Sequence, residues 1–187
     1  MENERLTKKE QFKLDLFDYG KSLLISFIMV YFVLRFLCIP VQVQGTSMYP
    51  TLEDKSVGIS NKIGYDVDGL KRFDIAIIHV DSGEKYLVKR VVGLPGETIS
   101  YHDGNLYVNG NIVEEPFLDE NYKKDYGLNF TSDIEEITLK EDEYYCLGDN
   151  RPFSKDSRSY GPFQASQVSS KGVFIFYPFD EFGVKSW

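Results

Sequence analysis

Residues 86–92 read Tyr-Leu-Val-Lys-Arg-Val-Val, with Pro95-Gly96 close behind. A β-branched run ended by Pro-Gly is the pattern of a strand entering a turn. Successive side chains of a strand point to opposite faces. Leu87, Lys89 and Val91 therefore share one face, and Tyr86, Val88, Arg90 and Val92 share the other. Lys89 has apolar neighbours on its own face, which leaves two readings. It snorkels from a strand edge to water, or it is desolvated, which lowers its pKa and makes it a proton acceptor.

Working outward, the same grammar recurs. Short β-branched and aromatic runs occur at 57–60, 75–80, 98–101, 105–108, 144–147 and 172–176. Turn residues separate them: Asp81-Ser82-Gly83, Asp103-Gly104 and Asn109-Gly110. No long stretch with a 3.6-residue period follows Pro40. These runs predict a mostly β, antiparallel domain. Residues 101–141 are more polar and acidic, and read as a subdomain or a large insertion.

Upstream, Ser22 to Ile39 reads SLLISFIMVYFVLRFLCI, 18 residues with a single charge, Arg35. That is close to the length that crosses a bilayer. A cleavable signal would end at a small-x-small site, and Pro40-Val41-Gln42 offers none. A lipoprotein signal would place a small residue before Cys38, where Leu37 stands. A core helix would show a polar face, and this run has none. The expected organisation is a cytoplasmic tail (1–21), a transmembrane helix (22–39) stopped by Pro40, and an extracytoplasmic domain (41–187). Orientation follows from Lys13 and Lys21 before the span and the absence of Lys or Arg from residue 36 until Lys55. Arg35 would snorkel to the outer interface.

The 187-residue chain carries a net charge of −8, and its body, 41–187, holds 15 Lys and Arg against 24 Asp and Glu. An acidic body argues against nucleic acid as a partner and against docking on anionic lipid by charge alone. Membrane lipid is expected as a partner through the span. Cys38 and Cys146 read as two small buried hydrophobes, with a disulfide open but unsupported. With two cysteines and two well-separated histidines, no metal site and no cofactor are readable.

The stretch 43–52, VQGTSMYPTL, brackets one serine with apolar residues just beyond the span. A serine hydroxyl needs a base within hydrogen-bond reach to become a nucleophile. His79 and His102 sit in segments that read as surface strand ends and turns, so a lysine base of the Ser–Lys kind is the remaining route. Gly45 permits a close backbone approach, so amides near Ser47 could face a developing oxyanion.

GTSMYPTL (45–52), YLVKRVVGLPGE (86–97) and LGDNRPFSKDSRSYGPF (147–163) resemble, in order and spacing, the three signature boxes of bacterial type I signal peptidases, Gram-positive type. The preceding anchor fits as well. The resemblance implies a serine endopeptidase that removes signal peptides from exported preproteins, cleaving after a small-x-small sequence. It matches Ser47 to the nucleophile, Lys89 to the general base and Ser154 to a hydroxyl that orients the lysine. Asp156 and Arg158 match a structural ion pair, and Asp149, Asn150 and Arg151 the loop packed there. Val43, Met48, Leu52, Leu87 and Val88 match substrate-groove positions, which ordinary core packing would explain equally well. Some family members carry a serine at the place of Gly45, whose hydroxyl helps form the oxyanion hole. Here that leaves the Ser47 amide, with the Gly45 backbone or a water as second donor.

Two rivals share these features. A repressor-cleaving autoprotease uses the same pair, but would have a DNA-binding region where this chain has its apolar run. A catalytically silent relative serving in surface-protein assembly would have lost Ser47 or Lys89, and both are present.

Overall fold

The computed structural model describes residues 8–80 and 85–185. The turn expected at Asp81-Ser82-Gly83 lies outside the described residues. Chain contacts divide the protein into an N-terminal helical unit ending at Cys38 and a β unit beginning at Ile39.

In the first unit, helix α1 spans Lys8–Phe36. Its segment Gln11–Val33 has a mean hydropathy of 1.5, is long and apolar enough to cross a membrane, and none of its most apolar window is buried within the protein. Two expectations need correction. The helix begins well inside the stretch read as a tail, because Phe12, Leu14, Leu16 and Phe17 let it continue without a breaker. It also ends at Phe36 rather than at Pro40. Strand β1, Cys38–Gln42, takes over there and joins the edge of a sheet. Pro40 lies inside that edge strand, where its missing N–H is tolerated.

In chain order the following elements are β2 (Val57–Asn61), α2 (Lys62–Asp68), β3 (Ile75–Val80), β4 (Lys85–Gly93), β5 (Thr98–His102), β6 (Asn105–Val108) and β7 (Asn111–Val113). Then come α3 (Glu120–Lys124), β8 (Ile134–Thr138), β9 (Glu143–Leu147), α4 (Ser157–Tyr160), β10 (Phe163–Gln164), β11 (Val168–Tyr177) and β12 (Gly183–Lys185). The first sheet runs β1-β2-β11-β3-β4-β9-β10, with β12 added to β11. The second runs β7-β6-β5-β8, and covers most of the stretch read as a polar subdomain or insertion. Every recorded pairing is antiparallel.

The sequence of β3, Ile-Ala-Ile-Ile-His-Val, is almost continuously apolar because both of its faces are covered. Ile75 and Ile77 pack with Val43, Met48, Leu52, Val173 and Ile175. Ala76, Ile78 and Val80 pack on the opposite side with Val91, Tyr144, Cys146 and Phe163. The second sheet contributes Ile99, Tyr101, Leu106 and Ile134 to a third cluster with Val92, Tyr145 and Leu147 of the first. At about 25 cal/mol per Å2 of apolar surface removed from water, these clusters supply the main stabilisation of the β unit.

Strand β4 pairs with β3 along its length, from Lys85 opposite Val80 to Arg90 opposite Ile75. Its pairing with β9 begins only at Arg90, opposite Leu147. Residues 85–89 therefore keep one strand edge free of β9.

Candidate active site

The alternation along β4 puts Lys89 between Leu87 and Val91, next to Ala76 of β3. Leu87, Val91, Ala76 and Cys146 belong to one apolar cluster, and Lys89 is only 2 % exposed. Of the two readings open at the outset, snorkelling is therefore excluded. Desolvation is the largest influence on the amine and brings its pKa down to about 8, against the opposing pull of Asp156 and Asp149.

The Lys89 Nζ lies 2.6 Å from Ser47 Oγ and donates to the carbonyl of Val88 at 3.0 Å. Ser47 sits on a turn between β1 and β2. That turn is anchored from below by Met48 and Leu52, both essentially inaccessible to solvent, and by the bond from the Leu52 amide to the Met48 carbonyl. Gly45 has φ +85, which glycine adopts without strain. Its amide donates to Asp54 Oδ1 at 2.7 Å, so the Gly45 N–H is committed elsewhere and does not supply a second oxyanion donor in this arrangement. The Ser47 amide donates no hydrogen bond among the described residues.

The loop from 148 to 158 closes the site from behind. Asp149 accepts from Arg90 Nε at 2.8 Å and Nη2 at 2.6 Å, and from the Thr51 hydroxyl at 2.6 Å. Asp156 forms a two-pronged pair with Arg158, Nε to Oδ1 at 2.9 Å and Nη2 to Oδ2 at 2.8 Å, and also accepts the Gly148 amide. Burial opposes ionisation of Asp156, but the Arg158 guanidinium and these N–H groups outweigh it and hold its carboxyl below the usual range. Arg151 is buried, donates to the Gly148 carbonyl, Tyr101 and Thr131, and pairs with Glu115 of the second sheet's side. A β-carbon at Gly148 would collide with the Ser154 hydroxyl and the Ser47 carbonyl oxygen, so this glycine is what lets the two loops touch. The Ser154 hydroxyl is buried beside Asp156, whose carboxylate it helps to keep ionised, and the bonds made by Lys89 go instead to Ser47 and Val88.

A groove of about 600 Å3 leads to Ser47 and Lys89. One wall is the segment from Ile39 to Gln44, and the other is Lys85 to Lys89 of β4. Val43, Met48, Leu87 and Val88 line it, whereas Leu52 does not reach it and is fully buried beneath Met48 in the core. His79 bonds the carbonyl of Ser166, and His102 lies at the exposed end of β5 beside Tyr107; neither bonds Ser47. Both cysteines are free thiols, Cys146 buried and Cys38 partly so. No cluster of possible metal ligands occurs among the described residues. Glu115, Thr131, Tyr122 and Thr51 belong to the support of this site without having been expected there, since their partners lie far off in sequence.

A family model described as signal peptidase, peptidase S26, matches residues 16–177. The chain belongs to the signal peptidase S26 family. Among its relatives in that family, a signal peptidase I of Bacillus licheniformis is 38% identical over 184 residues, covering 97% of each chain. A signal peptidase IB of Staphylococcus aureus is 34% identical over 180 residues, covering 91% of this chain and 94% of that one. A crystal structure of a signal peptidase I from Enterococcus faecalis is 35% identical with a TM-score of 0.50, covering 55% of this chain and 95% of that one. The mostly antiparallel β architecture is thus that of a signal peptidase family member with an N-terminal apolar helix.

Proposed function

We propose that this family member is a membrane-anchored serine endopeptidase that removes N-terminal signal peptides from exported preproteins, with Ser47 as nucleophile and Lys89 as general base. The observation that carries the reading is the buried Lys89 amine 2.6 Å from Ser47 Oγ at the wall of an apolar groove. In the neutral state the amine takes the hydroxyl proton as Oγ attacks the scissile carbonyl carbon. The carbonyl oxygen becomes an oxyanion facing the Ser47 N–H. The Lys89 ammonium then protonates the departing amine, leaving an ester on Ser47. Water, deprotonated by Lys89, attacks that ester; the Lys89 ammonium returns the proton to the departing Ser47 Oγ, and the signal peptide leaves with a new carboxyl terminus. Ser154 is the hydroxyl we assign to orienting Lys89, on its match to the third sequence box; it also interacts with Asp156, one of the two carboxylates that act on the Lys89 amine. Asp156 and Arg158 hold the loop that carries it.

The open edge of β4 at residues 85–89 supports binding of substrate as an added, extended strand. Residues one and three places before the cut would then face the same way. Shallow pockets formed by Val43, Met48, Leu87 and Val88 would accept small side chains there and exclude bulk. Incubating the detergent-solubilised protein with a preprotein and sequencing the N-terminus of the product tests this. The expected cut follows a small-x-small sequence; efficient cleavage after Phe, or no cleavage, overturns the proposal. The charge asymmetry around α1 supports a cytoplasmic N-terminus and an extracytoplasmic β unit.

The depressed Lys89 pKa gives a signed pH dependence. Turnover is expected to rise with pH through about 8, as the amine loses its proton. Stability follows in the same direction over a higher window. Between the folded value of about 8 and the ordinary 10.5, the unfolded chain binds the proton that the folded one does not. Stability contributed by this group is therefore lost as pH falls through that window, and regained as it rises. A rate profile flat from pH 6 to 9 contradicts the assignment of the base.

A further inference from the structure

Asn150 grips both peptides that flank the nucleophile. Its side-chain Nδ2 donates to the Thr46 carbonyl at 2.9 Å, and its backbone N–H donates to the Ser47 carbonyl at 3.1 Å. The Thr46 carbonyl can only accept, so the amide group must turn its nitrogen there and its oxygen the other way. That oxygen accepts the Tyr122 hydroxyl at 3.0 Å. The chain of bonds therefore runs in one direction, Tyr122 to Asn150 to the Thr46–Ser47 peptide.

The far end of that peptide is the N–H of Ser47. A trans peptide is planar, with its C=O and N–H opposed. The Thr46 oxygen also accepts the Tyr49 amide at 3.1 Å, and the shorter bond from Asn150 completes its hold; fixing that oxygen fixes the direction of the Ser47 amide, and a hydrogen bond on one end of a peptide polarises the donor at the other. With the Gly45 amide occupied by Asp54, the Ser47 amide is the one of these two donors that carries no bond among the described residues. Tyr122 reaches Asn150 from α3, whose first turn is set by Asp119 accepting the Tyr122 amide at 2.7 Å. Its ring is held edge-on against Tyr49, at a centroid distance of 5.3 Å, and against Tyr126 and Phe130. The residue thus lies outside the three sequence boxes, yet ends within two bonds of the nucleophile's peptide.

We propose that Asn150, held by Tyr122, is the positioning residue that aims the Ser47 amide at the oxyanion. The inference rests on Ser47 being the nucleophile. It predicts a loss confined to the transition state, because a substrate carbonyl before attack carries little charge for the amide to meet. The variants are Asn150→Ala and Tyr122→Phe; the second keeps the ring in its aromatic cluster and removes only the hydroxyl.

The test measures kcat and KM on a signal-sequence peptide, the pH–rate profile, and inhibition by a peptide aldehyde ending in alanine, which forms a tetrahedral adduct with a serine. Binding of uncleaved peptide is measured in parallel with Ser47→Ala added to each variant. Losing one oxyanion donor costs about 100- to 1000-fold in kcat, so misaiming it is expected to cost about 100-fold in Asn150→Ala and about tenfold in Tyr122→Phe. Aldehyde affinity should fall by the same factors, peptide binding should change by less than about threefold, and the rise near pH 8 should stay in place. Unchanged kcat in Tyr122→Phe at an unchanged melting midpoint overturns the proposal. So does an equal loss of peptide and aldehyde binding, or a displaced pH midpoint, which would assign the effect to Lys89. Failure of the underlying reading is distinguishable: the parent would then form no aldehyde adduct and Ser47→Ala would stay active, which overturns both.

Discussion

Ser47→Ala and Lys89→Ala are each expected to lower turnover by roughly 10^4-fold or more, and the double variant to lose no more than either one alone. Non-additivity is the informative part. If the amine serves only to take and return the Ser47 proton, it has nothing to act on once the hydroxyl is gone. The 2.6 Å separation, with Lys89 otherwise bonded among the described residues only to the Val88 carbonyl, supports such a unit. Both variants should stay folded. Lys89→Ala removes a desolvated amine rather than a partnered charge, and Ser47 lies on a surface turn. Pre-steady-state cleavage of a preprotein by the three variants makes the measurement. Substantial residual activity in Lys89→Ala would return the role of base to His79 or His102.

The second large effect concerns stability. Glu115→Ala is expected to destabilise the protein by about 3–5 kcal/mol, because it leaves a buried guanidinium without its counter-charge. Arg151 is 1% exposed, and Glu115 is also bonded by Tyr101 at 2.7 Å. For a protein of this size that loss corresponds to a fall of roughly 6–20 °C in melting temperature. Activity should fall with it at temperatures where the parent is stable, since Arg151 also holds the Gly148 carbonyl and so the loop behind Ser47. Differential scanning calorimetry checks the prediction. A loss below about 1 kcal/mol would mean that water reaches the guanidinium and that the second sheet does not brace the loop. Replacing Arg151 and Glu115 together by apolar residues should recover part of the stability, since neither charge is then stranded.

Composition and punctuation carried the reading of β3 and β4, because a β-branched run of six or more residues bounded by turn residues is visible without knowing the partners. Lys89 was singled out because the alternation of a strand's faces sets it between Leu87 and Val91. Its pairing with Ser47, 42 positions away, was not visible locally and came only from the resemblance of the three boxes. Two elements were misjudged for a physical reason. Pro40 read as a helix stop, and its edge-strand role depends on β2, which arrives later in the chain. Gly172 read as the start of a strand, yet β11 runs Val168–Tyr177 through it. Its φ of +64 lies where the register with β2 shifts between Lys171 and Val173, so the glycine marks a bulge within the strand rather than its end. The bracing contacts of Glu115 and Tyr122 join an irregular segment and the five-residue helix α3 to the loop at 149–151. Neither end carries a period, so nothing local announces them.

The edge of β4 that β9 leaves uncovered at residues 85–89 has a consequence for what this protein can mistake for substrate. Main-chain N–H and C=O groups are the same in every sequence, so a contact made through them recognises a shape before it recognises a residue. A polypeptide already committed to a helix, or paired inside its own sheet, has no spare edge to lend. On the proposed reading, such an edge would act as a gauge of how unfolded a segment is. If substrate binds as the proposed added strand, finished proteins should pass by uncut even when their surfaces display an Ala-x-Ala, while a newly emerged tether between a membrane-embedded helix and a still-folding cargo would, for a brief time, have the right shape.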